Sequence, residues 1–258
     1  MTKTIVSGCL LAAFAMPLFA QKTDSLNLDY EFFKRQGVWD IAVGGRVNYY
    51  DFDEMNHILN QAGLPDVKPE APGFLIGFRG SAPNSRWTGE SSFEVLWSQS
   101  NDGQVINGAA SLYRDFALNF RVMYDVSYGN RLTKLFPYAG FGFGFQALRT
   151  YKELPGGGNF VLTVAADVDK NKFNCISLPL EAGLSLEQGF KTRTYDIFIG
   201  LRGGYMYRAL DSDWALDGDI IVDLPKPAAG APFLAFTLRF KTDPQRAWEA
   251  YEKRMKSN

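Results

Sequence analysis

One histidine, two cysteines and a scatter of charges are all that this 258-residue chain offers for chemistry. His57 lies between Asn56 and Ile58. Nucleophilic catalysis would require it to meet a serine and to be held by a third group. Nothing local supplies either partner, so it reads as a solvated loop histidine. Glu181 with Arg202 or Arg121 suggests an acid/base pair or an ion site, since enclosed carboxylates titrate abnormally. The same residues serve equally as structural ion pairs filling a protein interior. Gly140-Phe141-Gly142-Phe143-Gly144 does not match a phosphate-binding G-x-G-x-x-G and sits in a strand-like run. Pro155 to Gly158, followed by Asp167 and Asp169, lacks the twelve-residue calcium-loop pattern. We therefore assign no catalytic, cofactor-binding or metal-binding residue, and no cofactor.

The elements that position these residues are legible from the composition and the N-terminus. Twenty-seven basic and 28 acidic residues nearly cancel, which argues against nucleic acid as a partner. Residues 1–20 carry Lys3, an apolar stretch broken by Pro17, and a small residue, Ala20, before Gln21: a cleaved export signal. A lipoprotein-like box at Cys9 would leave almost no apolar core before it. With Cys9 removed, Cys175 has no intramolecular disulfide partner.

After residues 21–36, which form an N-terminal periplasmic segment, apolar/polar alternation recurs in eight runs: 37–50, 73–80, 87–99, 111–128, 135–151, 173–188, 194–210 and 233–240. The intervening connections alternate long and short. An Asp51/Glu54 capping box, with Met55, Ile58, Leu59 and Ala62 at helical spacing and Gly63 as stop, predicts a short helix in the first long loop. Two features keep ten strands open. Asn101-Asp102-Gly103 is a hairpin signal, and 160–166 and 218–223 are strand-like. Residues 241–258 read as a short periplasmic tail with helical spacing at Ala247, Trp248 and Tyr251.

The contents of the two faces decide their surroundings. One carries Trp39, Ile41, Val43, Val47 and Tyr49, and its counterparts include Phe116, Leu118 and Phe120, Phe141, Phe143 and Phe145, and Ile197, Ile199 and Leu201. Aromatics close it: Trp39, Tyr49, Trp97, Tyr128, Tyr195 and Tyr205. Trp39 and Tyr49 are ten residues apart, as are Tyr195 and Tyr205. At about 3.3 Å per residue and about 40° tilt, this spacing rises about 25 Å, the height of a membrane barrel's apolar band. The other face holds Asp40, Arg46, Arg79, Glu94, Arg121, Asp125, Glu181, Glu187, Asp196, Arg202, Arg208 and Arg239, interspersed with glycine. Every lysine falls outside the eight runs. Arginine's planar fork suits enclosed carboxylate pairing, so Arg46, Glu94, Arg121, Glu181 and Arg202 are expected to form a lumen ion-pair network. Counting back from a turn at 189–193 places Glu181 opposite Arg202.

The fold class is thus all-β: an antiparallel up-and-down transmembrane β-barrel over 37–240. The signal, the eight runs, the loop asymmetry and the closing Leu234/Phe236/Leu238/Phe240 pattern resemble small eight-stranded outer-membrane proteins with an OmpA-like or OmpX-like barrel. That resemblance implies residence in a Gram-negative outer membrane among its lipid. It also implies Phe236, Leu238 and Phe240 as the signal read by the barrel-assembly machinery, although here eighteen residues follow Phe240. The expected role is structural or surface-binding, through extracellular loops that meet a partner outside the cell. A small porin-like or lipid-handling barrel is the alternative, ahead of a lipid-modifying enzyme.

Overall fold

A membrane interior offers no water to backbone amides, so a sheet that spans it must close on itself. In the computed structural model this closure is complete. The structure describes residues 38–81, 85–100, 109–127, 132–153, 168–192, 195–216 and 220–242. The barrel strands are β1 (Val38–Tyr49), β2 (Glu70–Ser81), β3 (Trp87–Gln99), β4 (Ala109–Tyr124), β5 (Thr133–Glu153), β6 (Val168–Lys191), β7 (Tyr195–Asp211) and β10 (Gly230–Thr242). Each pairs antiparallel with its sequence neighbour, β10 follows β7, and β10 closes the ring on β1 through pairs such as Val43↔Leu238 and Ile41↔Phe240.

Eight strands, not ten, form the wall. The strand-like 218–223 signal does have a physical basis: β8 (Trp214–Leu216) and β9 (Ile220–Val222) make a small hairpin in the last long loop, attached to the end of β6. It extends the sheet above the barrel without entering the ring. The Asn101-Asp102-Gly103 signal, the 160–166 run, the export signal, the 21–36 segment and the tail beyond Thr242 lie outside the described residues.

The long loops emerge at one end, the short turns and both chain termini of the barrel at the other. The first long loop carries α1 (Asp53–Gln61), with Met55 and Leu59 buried one turn apart. The capping box does not form. Phe52 is the N-cap and makes no side-chain cap, while Asp51 Oδ1 accepts from Asp53 N at 3.0 Å. Termination is as expected, with Gly63 at φ 73°, a left-handed conformation that favours glycine. Asn56 fastens the helix to the returning chain, donating to Val67 O at 3.0 Å and accepting from Val67 N at 2.8 Å.

Burial follows the pleat. Along β4 every odd position from Ala109 to Met123 is buried and every even one is at least partly exposed. The exposed side holds Phe93, Phe141, Phe143, Leu184, Leu201 and Phe236. A continuous apolar girdle outside with charges inside is the reverse of a water-soluble barrel. Leu180→Arg and Ile199→Arg, near the middle of this girdle, should each cost about 2–4 kcal/mol in reversible folding into bilayers. Ile221→Arg, in the exposed β9 hairpin, should cost little, and equal penalties at the three sites would contradict the lipid-facing assignment.

Candidate functional site

Inside the ring, five arginines and five carboxylates form one connected chain of ion pairs. Nearest the long-loop end, Arg46 and Arg121 each bridge Glu94 and Glu181. Arg46 Nη1 donates to Glu94 Oε2 at 2.6 Å and to Glu181 Oε2 at 2.9 Å, and Arg121 closes the square on the other oxygens. Arg121 also reaches down to Glu90 at 3.1 Å. Glu90 receives both terminal nitrogens of Arg202, at 2.7 and 2.8 Å, and the fork of Arg79, at 2.8 and 3.1 Å. The chain continues from Arg79 to Glu187 at 2.7 Å, from Glu187 to Arg239 at 2.5 Å, and from Arg239 to Asp40.

The strands supply these groups unequally, and the inequality is what makes them fit. Seven strands contribute ion-pairing residues, whereas β5 contributes Gly140, Gly142 and Gly144 at its inward positions. A Cβ at Gly140 would lie 2.9 Å from Arg121 Cγ and 2.5 Å from Phe120 O. The glycine run is therefore the bed on which Arg121 crosses the lumen. Aromatics flank the charges: Arg46 lies over the Phe233 ring at 3.8 Å, Arg239 over Phe198 at 4.0 Å, and Arg202 over Tyr138 at 5.3 Å. Such stacking suits a weakly hydrated guanidinium better than an ammonium.

Above the ion chain the lumen becomes a polar-aromatic layer and then an apolar cap. Tyr50 Oη donates to Asp115 Oδ2 at 2.5 Å, Asn48 Nδ2 donates to Tyr50 Oη at 2.9 Å, and Arg208 Nη1 donates to Gln146 Oε1 at 3.1 Å. Phe52 packs edge-on to Tyr113 with centroids 5.0 Å apart, and Met55, Leu59 and Trp214 complete the cover.

All five predicted network residues, Arg46, Glu94, Arg121, Glu181 and Arg202, are buried in the lumen and joined. The predicted pair Glu181 and Arg202 does not form. The register places Glu181 opposite Met206 and Arg202 opposite Ser185. β6 continues past the predicted turn to the pair Lys191↔Asp196, and Thr192 N donates to Tyr195 O at 3.0 Å. The turn thus lies further along the chain, moving every pair in the hairpin. Asp125 and Asp196 also leave the list of enclosed charges. Asp125 lies just past β4, paired with Lys134, and Asp196 is half-buried at the rim. Glu90 and Asp115 take their places, both inward by the same alternation that identified Glu94 and Arg121.

Of the aromatic belt, Tyr49, Trp97, Tyr195 and Tyr205 face outward, joined by Trp87, whose ring lies 4.8 Å from Tyr124. Tyr128 and the side chain of Trp39 lie outside the described residues. Phe236 and Phe240 point outward on β10, and the Phe240 ring lies 6.1 Å from that of Tyr195. Lysines do enter strands: Lys134, Lys152, Lys170, Lys172, Lys191 and Lys241 lie near strand ends, because the sheet runs past the apolar band. His57 stands on the exposed side of α1, its Nε2 2.9 Å from Gln61 Nε2.

A closed ring of eight antiparallel strands, apolar outside and charge-filled inside, determines the architecture. The fold is that of the small eight-stranded outer-membrane barrels. Among solved structures the chain is similar to a major outer membrane protein from Thermus thermophilus, with TM-score 0.50 and 10% identity over 79% of this chain and 99% of that one. It is also similar to Neisserial surface protein A (TM-score 0.38, 11% identity, 80% of this chain and 96% of that one). A third is Ail, the attachment invasion locus protein of Yersinia pestis, in complex with the heparin analogue sucrose octasulfate (TM-score 0.41, 12% identity, 80% and 97%). No family model and no curated protein matches the chain.

Glu90 is the node of the network, since it touches Arg79, Arg121 and Arg202. Glu90→Gln should cost about 3–5 kcal/mol by leaving enclosed arginines uncompensated. Glu90→Gln combined with Arg202→Met should cost clearly less than the sum of the two single changes, measured by urea unfolding in bilayers. Additive costs would mean that the two side chains do not meet.

Proposed function

We propose that this protein resides in a Gram-negative outer membrane as a closed, non-catalytic barrel that acts at the cell surface through its extracellular loops. The observation that carries this reading is the lumen itself. Five matched ion pairs' worth of charge fill the membrane-spanning section, and α1 with the Tyr50, Phe52 and Tyr113 cluster covers the extracellular mouth. A solute has no open path, and an enclosed carboxylate saturated with guanidinium partners is a poor general base. Function is left to the exterior: the loops, the strand ends above the membrane and the lipid-facing wall. In this reading the partners are outer-membrane lipid, the barrel-assembly machinery that reads Phe236, Leu238 and Phe240, and a partner outside the cell.

Two measurements test the proposal. In planar bilayers the folded protein should show no discrete conductance steps, whereas stable steps would support a porin-like barrel instead. Topology is read by cysteine labelling, for which the native Cys175 gives little background because it is buried. Asp213→Cys, in the last long loop, should react with a membrane-impermeant maleimide on intact cells. Ser85→Cys, at a short turn, should react only after the outer membrane is permeabilised, and the opposite pattern would invert the orientation.

A further inference from the structure

The apolar outer wall is interrupted in one sector by cations. On β4, β5 and β6 the last all-apolar outward row is Phe116, Phe145 and Ile176, which pair directly across the three strands. Two residues further towards the long-loop end, the outward row is Arg114, Ala147 and Asn174; two further, it is Leu112, Arg149 and Lys172. With about 3.3 Å per residue and about 40° of tilt, the cations lie about 5 Å and about 10 Å above the apolar band. That is headgroup depth. Elsewhere around the barrel, outward positions near this level include Tyr49, Trp97, Tyr205, Tyr207 and Pro232, and the one opposite Tyr49 is the acidic Glu70, so the outward cations of these strands belong to one sector.

This arrangement works against the sheet that holds it. Arg149 and Lys172 are direct cross-strand neighbours, and like charges so placed repel each other. Arg114 lies on the diagonal from Arg149, within reach of a long side chain. None of the three forms an ion pair with an acidic residue among the described residues, in contrast to the matched arginines of the lumen. Arg149 Nε is moreover shielded from solvent with no hydrogen-bond partner. A multiply charged anion lying across β4 to β6 would relieve the repulsion and accept that donor.

We propose that Arg114, Arg149 and Lys172 form a binding site on the outside of the barrel for the phosphate groups of an outer-leaflet lipid. The occupant is a lipid because the cations project from the lipid-facing wall immediately above its apolar band. Acyl chains would lie against Phe116, Phe145 and Ile176 while the phosphates meet the cations, and Trp97, opposite Arg114, would pack at the interface. The inference rests on the membrane orientation proposed above, which the Asp213→Cys and Ser85→Cys labelling tests separately.

The test uses the full mature chain folded in zwitterionic micelles, titrated with phosphatidic acid as a phosphomonoester lipid and with inorganic pyrophosphate as a soluble anion. Phosphatidic acid should bind the unmodified protein, and binding should weaken about fivefold for Arg149→Gln or Lys172→Gln and about thirtyfold for the double variant. Arg86→Gln, at a short turn on the opposite side of the membrane, should bind as the unmodified protein does. Heat-modified gel mobility confirms that each variant is folded. Equal affinity across all variants would overturn the site. Pyrophosphate binding as tightly as phosphatidic acid, with the same loss in the double variant, would overturn the lipid assignment in favour of a soluble anion.

Discussion

Everything inside this barrel follows from the need to neutralise charge where water is scarce. A guanidinium or carboxylate withdrawn from water loses several kcal/mol of hydration, recovered only through well-formed, saturated ion pairs. The lumen answers that requirement with Arg46, Arg79, Arg121, Arg202 and Arg239 against Asp40, Glu90, Glu94, Glu181 and Glu187, in equal numbers and one connected chain, with Asp40 Oδ1 and the Nε atoms of Arg202 and Arg239 left without a partner. Glu90 and Glu181 each accept from arginines on different strands, so the chain ties non-adjacent strands across the tube as backbone pairing cannot. The closed ring and the charge-filled lumen are aspects of the same arrangement.

The surrounding residues are those that such a network demands. Arginine needs length to cross the lumen, and β5 yields the space with glycine at positions 140, 142 and 144. Rings from Phe233, Phe198 and Tyr138 lie over the guanidinium planes, filling volume that water would otherwise occupy. The outer wall obeys the opposite rule, with no charge until the strands leave the apolar band. Arg114, Arg149 and Lys172 then appear together on neighbouring strands, without acidic partners among the described residues.

Much of this was legible because a β-strand writes its two environments into alternate residues. The eight-strand ring, the outward girdle and the five network residues follow from parity alone. Parity fixes a face, but not a partner. The Glu181 and Arg202 pairing failed because it depended on locating a turn, and a turn misplaced by two residues shifts each cross-strand partner by four. Glu90 and Asp115 were equally available to parity: Glu90 lies four residues before Glu94, and Asp115 six before Arg121. The cationic sector was hidden for another reason. Arg114, Arg149 and Lys172 lie where β4, β5 and β6 extend past the membrane, and only the register shows that the three stand side by side. The α1 helix was readable from Met55, Leu59 and Gly63, whereas its start depends on Phe52 packing into the barrel mouth, a tertiary effect that overrides local capping.

The central claim, that the lumen is filled by a charge-matched ion-pair network away from water, is tested most directly by hydrogen exchange at the arginine side chains in lipid bilayers. Guanidinium Nε protons, followed by nitrogen-15 NMR, exchange quickly when solvated and slowly when held to a carboxylate away from water. The account predicts long-lived Nε–H signals for Arg79 and Arg121, which donate to Glu90 and Glu181, and rapid exchange for the solvent-facing Arg86. Rapid exchange at Arg79 and Arg121, indistinguishable from Arg86, would show a hydrated lumen and contradict it.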